Sequence, residues 1–361
     1  MRLSFLSIPA IIAVAVLLPA PVAAAAPPVA CGDTISANAR LSADLTCEGP
    51  VGLSLSPGVT LDLGGHTLKG AGRESGTAIS VQTGDGTVLD LPVAVRNGSL
   101  AAWTTGVDSY SGGGTVDFRK MRVTDVTTAL GGIGITYNVR DSRFTDNDSG
   151  VLVLFGSVSV SGSTFVRNRQ AVTLAGSGSL TVSGSVFRDN AEAVGCSEVI
   201  LNVSRSTFLR NERAISGWWC EGAKIADNNF AANGVAYHDE WGPGDGRDEL
   251  RGNRFVGNDT AVSTQVSVYL RSNTFFGNDT GLRAVDYPEP LFAEVVELDR
   301  NKFRGNGDAV YIEIDARIRS TSAIGNRGYG IYAPRAIDLG GNIARGNGTE
   351  PQCTGVVCRT R

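Results

Sequence analysis

"STFLRNERAI" at 206–215 is nearly rewritten as "STFVRNRQAV" at 163–172, "NRFVGNDTAV" at 253–262 and "NTFFGNDTGL" at 273–282. Aligning on the Asn after the aromatic residue gives Asn147, Asn168, Asn190, Asn211, Asn233, Asn258, Asn278, Asn306, Asn326 and Asn347, spaced by 21, 22, 21, 22, 25, 20, 28, 20 and 21 residues. Three positions before each stands Phe144, Phe165, Phe187, Phe208, Phe230, Phe255, Phe275 and Phe303, then Ala323 and Ala344. Two residues earlier a small polar column runs from Ser142 and Ser163 to Asn273 and Asn301. About four residues after the Asn comes a β-branched or long apolar residue, among them Val151, Ile215, Tyr237 and Leu282.

Between these columns, "SLTVSGSVF" and "VLVLFGSVSVSGSTF" alternate with period 2 and break at Gly and Ser, which is strand patterning and not helix patterning. A period near 21 then holds three short strands and three turns: one rung of a coil whose strands pair with their copies in the next rung, about 4.8 Å away. The ten residues are rewritten because each rung must match its neighbour. The Phe column is expected to stack inside, and the Ser/Asn column to tolerate left-handed backbone in the turns and hydrogen-bond between rungs. Less regular rungs, "GVTLDLGGHTL" with "TAISV", "VAVRNGSL" with "TTGV", and "TVDFRKMRVTDVTTAL", precede the clear ones and bring the total to about a dozen.

The repeat resembles that of the parallel β-helices of the pectate-lyase-like superfamily over roughly residues 60–350. The opening "CGDTISANARLSADLTC…GVTLDLGGHTLKG" resembles the start of many secreted bacterial β-helix proteins of unassigned activity. That resemblance implies an all-β, single-stranded, right-handed parallel β-helix. It implies no particular activity, since one architecture carries many functions.

Residues 1–25 read as a secretory signal peptide: Arg2, the apolar run "FLSIPAIIAVAVLLPA", then "PVAAAA" with cleavage near Ala25. Pro9 and Pro19 and the shortness of the run argue against a membrane anchor. The mature chain is expected to be secreted, extracellular, monomeric and free of the membrane. A net charge of −4 gives no case for nucleic acid. Six cysteines fit an oxidising compartment. Open sheet ends invite polymerisation, so segments 31–58 and 348–361 are expected to cap a coil spanning 59–347, tied by Cys31–Cys47 and Cys353–Cys358, with a third bridge Cys196–Cys220 between adjacent rungs.

The two long rungs carry inserts, "YHDEWGPGDGRDE" at 237–249 and "RAVDYPEPLFAEVVE" at 283–297, on one edge of the coil. There Trp218, Trp219, Tyr237, Trp241, Gln265, Tyr287 and Tyr311 are candidate polysaccharide-binding residues, because flat apolar rings stack on pyranose faces while polar groups hold hydroxyls. The alternative is that the tryptophans pack the loops onto the coil. On the strand after the Asn, positions five and seven should face outward, giving Ser216, His238, Ser263, Arg283 and Tyr311, then Trp218, Glu240, Gln265 and Glu313.

Two chemistries can be framed on these residues. A glycosidase needs paired carboxyls, and Asp239 or Glu240 against Asp286 or Glu289 falls at the inverting separation. A uronate lyase or epimerase needs a base and a carboxylate-neutralising cation, for which Tyr237, His238 and Arg283 are the candidates. Asp245, Asp248 and Glu249 are hard oxygen ligands suited to calcium, although "DGRDE" lacks the order of a dedicated calcium loop. No other cofactor is expected, and two His and two Met argue against copper handling. The opposing reading is a structural or adhesive surface protein without catalysis.

Overall fold

The structure is a computed structural model that describes residues 28–81, 91–110, 113–240, 246–285 and 294–359. The signal-peptide reading therefore lies outside the described residues. Among them are 39 strands and no helix, stacked as a parallel β-solenoid of about 13 turns.

One rung shows the construction. Strands Arg213–Cys220, Lys224–Ala226 and Asn229–Ala231 lie on three successive faces. Each pairs in parallel with its copy in the next rung, Val235–Glu240, Asp248–Arg251 and Arg254–Val256. The first face is the strand after the repeat Asn, the third carries the Phe. Registers on the third face match Phe to Phe from Phe144 to Phe303. The rings stack with centroids 4.2–5.0 Å apart. Each ring is buried, and those from Phe165 to Phe275 are stacked between two others, so burial and ring stacking act on the same side chain. In the irregular early rungs the large core residue is Trp103, whose Nε1 donates to the Leu68 carbonyl at 3.1 Å. Gly52 and Gly70 leave room for it, since a Cβ on Gly70 would stand 2.7 Å from the indole.

The polar columns form two buried ladders. The Oδ1 of Asn168 accepts from the backbone N of Asn147 at 3.1 Å and from its Nδ2 at 3.0 Å, while Asn147 Nδ2 also donates to the Val123 carbonyl. The unit repeats through Asn190, Asn211, Asn233 and onward to Asn347. In the second ladder Ser hydroxyls donate within their own rung, as Ser163 does to the Ser161 carbonyl. From Asn228 onward the longer amide reaches back one rung instead. The left-handed turn residue is not the one expected. It is the residue before the ladder, such as Arg167 (φ 53°) and Asp189 (φ 58°) before Asn168 and Asn190, and Gly257 and Gly277 before Asn258 and Asn278. The Asn itself turns inward, because a buried amide that satisfies three backbone or amide partners has no cost of exposure to recover.

All three expected disulfides form, Cys31–Cys47, Cys196–Cys220 and Cys353–Cys358. The segment between Cys31 and Cys47 is itself a small rung, because Thr34–Ile35, Ala39–Arg40 and Leu45–Thr46 pair with the next three strands. At the other end Cys353–Thr354 and Cys358–Arg359 pair with the rung before them. There the Oε1 of Gln352 accepts from the backbone N and the Nδ2 of Asn347 at 2.9 and 2.8 Å, closing the Asn ladder.

Candidate functional site on the first face

Parallel registry converts the sequence into a map of the first face. Ser216, His238, Ser263, Arg283, Tyr311 and Tyr332 are aligned in one outward column, as the alternation requires. Below Ser216 the column continues through Gly195, Thr173, Leu152 and Gly131, with Leu154 and Ile133 exposed beside it. The face is thus apolar and small in its lower half, and aromatic and charged in its upper half.

In that upper half Trp218, 53% exposed, lies in register with Glu240. His238 Nε2 is 3.4 Å from Glu240 Oε2, an i,i+2 contact on one side of the strand. The Arg283 guanidinium lies 5.8 Å from the centroid of the Tyr311 ring, so it turns towards the later rungs and away from His238. Tyr311 stacks on Tyr332 at 5.0 Å and meets Tyr329 at 5.8 Å, forming a three-ring group. The Tyr311 hydroxyl donates to Glu313 Oε1 at 2.6 Å, which pushes its pKa up to about 12. Tyr329 and Tyr332 were not among the expected site residues. The signal was present, since Tyr332 follows Tyr311 by one 21-residue period.

Several expected site residues are elsewhere. Tyr237 and Asp239 occupy positions four and six after Asn233, and both are 1% exposed inside the coil. Strand alternation continues through Glu240, so neither can face a ligand on this surface. Asp248 is buried too, whereas Glu249, its strand neighbour, faces outward between Lys224 and Tyr269. Alternation sends these two carboxyls to opposite sides, so they form no calcium cage. Among the described residues no group of three or more His, Cys, Asp or Glu is placed to hold a metal. Trp219 is half-buried, with φ 69° at the bend between the first and second faces, and its Nε1 is buried with no hydrogen-bond partner. Trp241, Asp245, Asp286, Tyr287 and Glu289 lie outside the described residues.

The inward residues form a cluster of their own. The Tyr237 hydroxyl donates to Asp248 Oδ2 at 2.5 Å, and the Ala223 N–H donates to Asp248 Oδ1 at 2.8 Å. The Asp239 carboxyl is in hydrogen-bond contact with that of Asp248, while Asp239 Oδ1 has no hydrogen-bond partner. Burial pushes both carboxyls up, Asp248 to about 6 and Asp239 well above the usual carboxylate range, the neighbouring Asp248 adding to the shift on Asp239. The same burial raises the Tyr237 phenol. Two adjacent carboxyls out of water share a proton more readily than they both ionise.

On the outward strand positions of the described residues, Glu240 and Glu313 do not make a hydrolytic pair. Glu240 and Glu313 are three rungs apart along the face, roughly 14 Å at a strand spacing of ~4.8 Å. Glycosidase pairs lie roughly 5–9.5 Å apart.

Residues 132–280 match the family described as periplasmic copper-binding protein, NosD. This span is less than half of the chain. A comparison with curated proteins finds no match. Among solved structures, the chain is similar to the A-module of the mannuronan C-5 epimerase AlgE6 from Azotobacter vinelandii, with 13% identity, a TM-score of 0.31, and coverage of 84% of this chain and 88% of that one. It is also similar to the A-module of the AlgE4 epimerase of the same organism, with 14% identity, a TM-score of 0.29, and coverage of 86% and 80%. The chain is a parallel β-helix protein.

Proposed function

We propose that the protein is exported and binds an extracellular polysaccharide along the upper half of the first face. One observation carries this reading: Trp218, His238, Glu240, Arg283, Tyr311 and Tyr332 form an outward strip of rings and charges in strict rung registry. From His238 to Tyr332 the strip runs four rungs, roughly 19 Å. Rings supply flat apolar contact area, and Arg283, Glu240 and Glu313 hold hydroxyl or carboxylate groups beside them.

Binding is favoured over catalysis by two distances. Among the described residues, Glu240 and Glu313 are too far apart for a hydrolase pair. Arg283 is turned onto Tyr311, so the cation a lyase or epimerase needs beside the sugar acid does not converge with His238. Copper binding, carried by the name of the matching family, forms no part of this reading. All six cysteines are in disulfides, Met121 is 1% exposed, and His66 and His238 lie on different turns with Asp44 and Glu240 as their partners. That donor set does not fit a copper site.

The test is titration of the mature protein with neutral and acidic glycans, alongside assays for reducing ends and for ultraviolet absorbance of unsaturated uronates. Binding without product, weakened by Tyr311→Ala and Trp218→Ala, is expected. Binding insensitive to both variants would move the site off this face. Product formation would restore the catalytic alternative.

A further inference from the structure

A second surface lies at the corner between the second and third faces, at the opposite end of the coil. Registry on the second face stacks Arg96, Arg119 and Arg140 in three consecutive rungs. Beside them on the third face Arg122 stacks under Arg143, and Lys120 occupies the turn with φ 53°. Arg119, Lys120, Arg122, Arg140 and Arg143 are all exposed. None of these five has an ion-pair partner within 4 Å among the described residues, whereas Arg96 is held by Asp62 at 3.1 Å. The acids nearest in the chain, Asp117 and Asp141, form no ion pair with them, Asp117 accepting from Asn138 Nδ2, while Asp146, held below the usual carboxylate range chiefly by Arg167, feels a smaller contribution from Arg143. The chain as a whole has a net charge of −4, so this is a local reversal of sign.

The same corner shows what a structural arginine cluster looks like. Further along, Arg271, Arg300 and Arg319 converge on the buried carboxylate of Asp299 at 2.9–3.6 Å. The lower cluster has no such centre. It borders two surface cavities, one of about 430 Å³ lined by Lys120, Arg122, Arg143 and Asp141, and one of about 350 Å³ lined by Arg119, Arg140 and Asp117. Against these five cations stand two lining carboxylates, Asp117 and Asp141, neither within ion-pair distance of them among the described residues, so the corner keeps an excess of positive charge suited to an anion that comes from outside.

We infer that this corner is a binding site for an acidic polysaccharide, a chain bearing carboxylate or sulfate groups at regular intervals, and that it acts independently of the first-face strip. The cations repeat once per rung, ~4.8 Å, a pitch comparable to the length of one sugar residue. Duplex DNA presents one charge per roughly 1.7 Å of axis, far denser than this ladder. No aromatic ring lines either cavity to stack an unpaired base, and the next rung offers Ser161, Gly162 and Thr164, not an apolar flank for a bilayer.

The experiment titrates the full mature chain with a soluble oligouronate, a neutral oligosaccharide, duplex DNA and anionic lipid vesicles. Oligouronate binding that weakens steeply with salt is expected, with little response to the neutral sugar. Arg119→Ser combined with Arg140→Ser should weaken it about tenfold and reduce the salt slope, whereas Tyr311→Ala should leave this binding in place. In the unaltered protein, bound oligouronate should protect Arg119 and Arg140 from an arginine-specific dicarbonyl, read by mass spectrometry, which keeps the test valid whether or not the variant folds. Binding unaffected by the double substitution, absence of protection, or a preference for DNA or vesicles would each overturn the proposal. Loss through Tyr311→Ala alone would assign acidic-glycan binding to the first face instead.

Discussion

The rings of Phe208 and Phe230, 22 residues apart in the chain, lie with centroids 4.8 Å apart and planes within 11° of parallel. Each is sandwiched by a further Phe, so truncation opens a cavity that two rigid neighbours cannot fill. Phe208→Ala is expected to cost about 3–5 kcal/mol, as large core truncations do. Urea titration checks this, and a loss below about 1 kcal/mol would show that the column contributes little beyond spacing.

The Asn ladder gives a second expectation. Asn211 Oδ1 accepts from Asn190 N and Nδ2, and Asn211 Nδ2 donates to the Phe187 carbonyl. Asn211→Ala leaves these buried groups unpaired, at about 1–3 kcal/mol for each lost partner. By contrast Arg210→Ala, which removes an exposed pair with Asp189 at 2.8 Å, should change stability by less than about 1 kcal/mol. Equal losses for the two variants, by the same titration, would contradict the assignment.

Asp239 and Asp248 make stability depend on pH in an unusual direction. Their folded pKa values are raised by burial, Asp248 to about 6, so the native state keeps protons that the unfolded chain releases near pH ~4. The contribution of this pair is complete below that pH and is lost as pH rises through about 6 and beyond for Asp239. Asp62, Asp146, Asp299 and Asp338 are shifted down, so their contribution is lost only in stronger acid. The thermal midpoint should therefore fall between about pH 5 and pH 8, and Asp239→Asn should flatten that fall. A wild-type midpoint that climbs across this range, or an Asp239→Asn profile that overlays it, would refute the linkage.

On the first face, Tyr311→Ala removes the ring that Arg283 and Tyr332 both pack against. Glycan affinity is expected to drop about tenfold or more, with the unfolding midpoint in urea nearly unchanged because the side chain is outside the coil. Glu313→Gln should lower the Tyr311 phenol pKa back towards its ordinary value, read by ultraviolet titration, since the carboxylate is the leading cause of the rise.

The coil was legible because registry forces repetition. Phe144 to Phe303 and Asn147 to Asn347 recur since each side chain is the packing or hydrogen-bonding partner of its own copy, and outward positions such as His238, Arg283 and Tyr311 followed from counting after the Asn. Tyr237, Asp239 and Asp248 were misassigned to a surface because they adjoin a loop, although the same count places the first two inside. The basic corner was hidden for a different reason. Arg140 sits just before the first Ser142–Phe144–Asn147 unit, but Arg96 and Arg119 belong to earlier rungs without the Phe–Asn columns, so nothing in the local pattern shows that residues 21 to 23 apart share one position. Tertiary electrostatics becomes readable from the chain only after registry is known.

Gln352 stands in for one more asparagine: its Oε1 takes both donors of Asn347, and its Nε2 returns a bond to the Asn347 carbonyl at 3.0 Å. The column thus has a fixed terminator and an interior of interchangeable units. Losing a single amide breaks it, but excising a whole 20–22-residue module would bring two equivalent asparagines together and leave every bond intact. Length in this molecule is therefore free to change in whole modules, with the ending held constant.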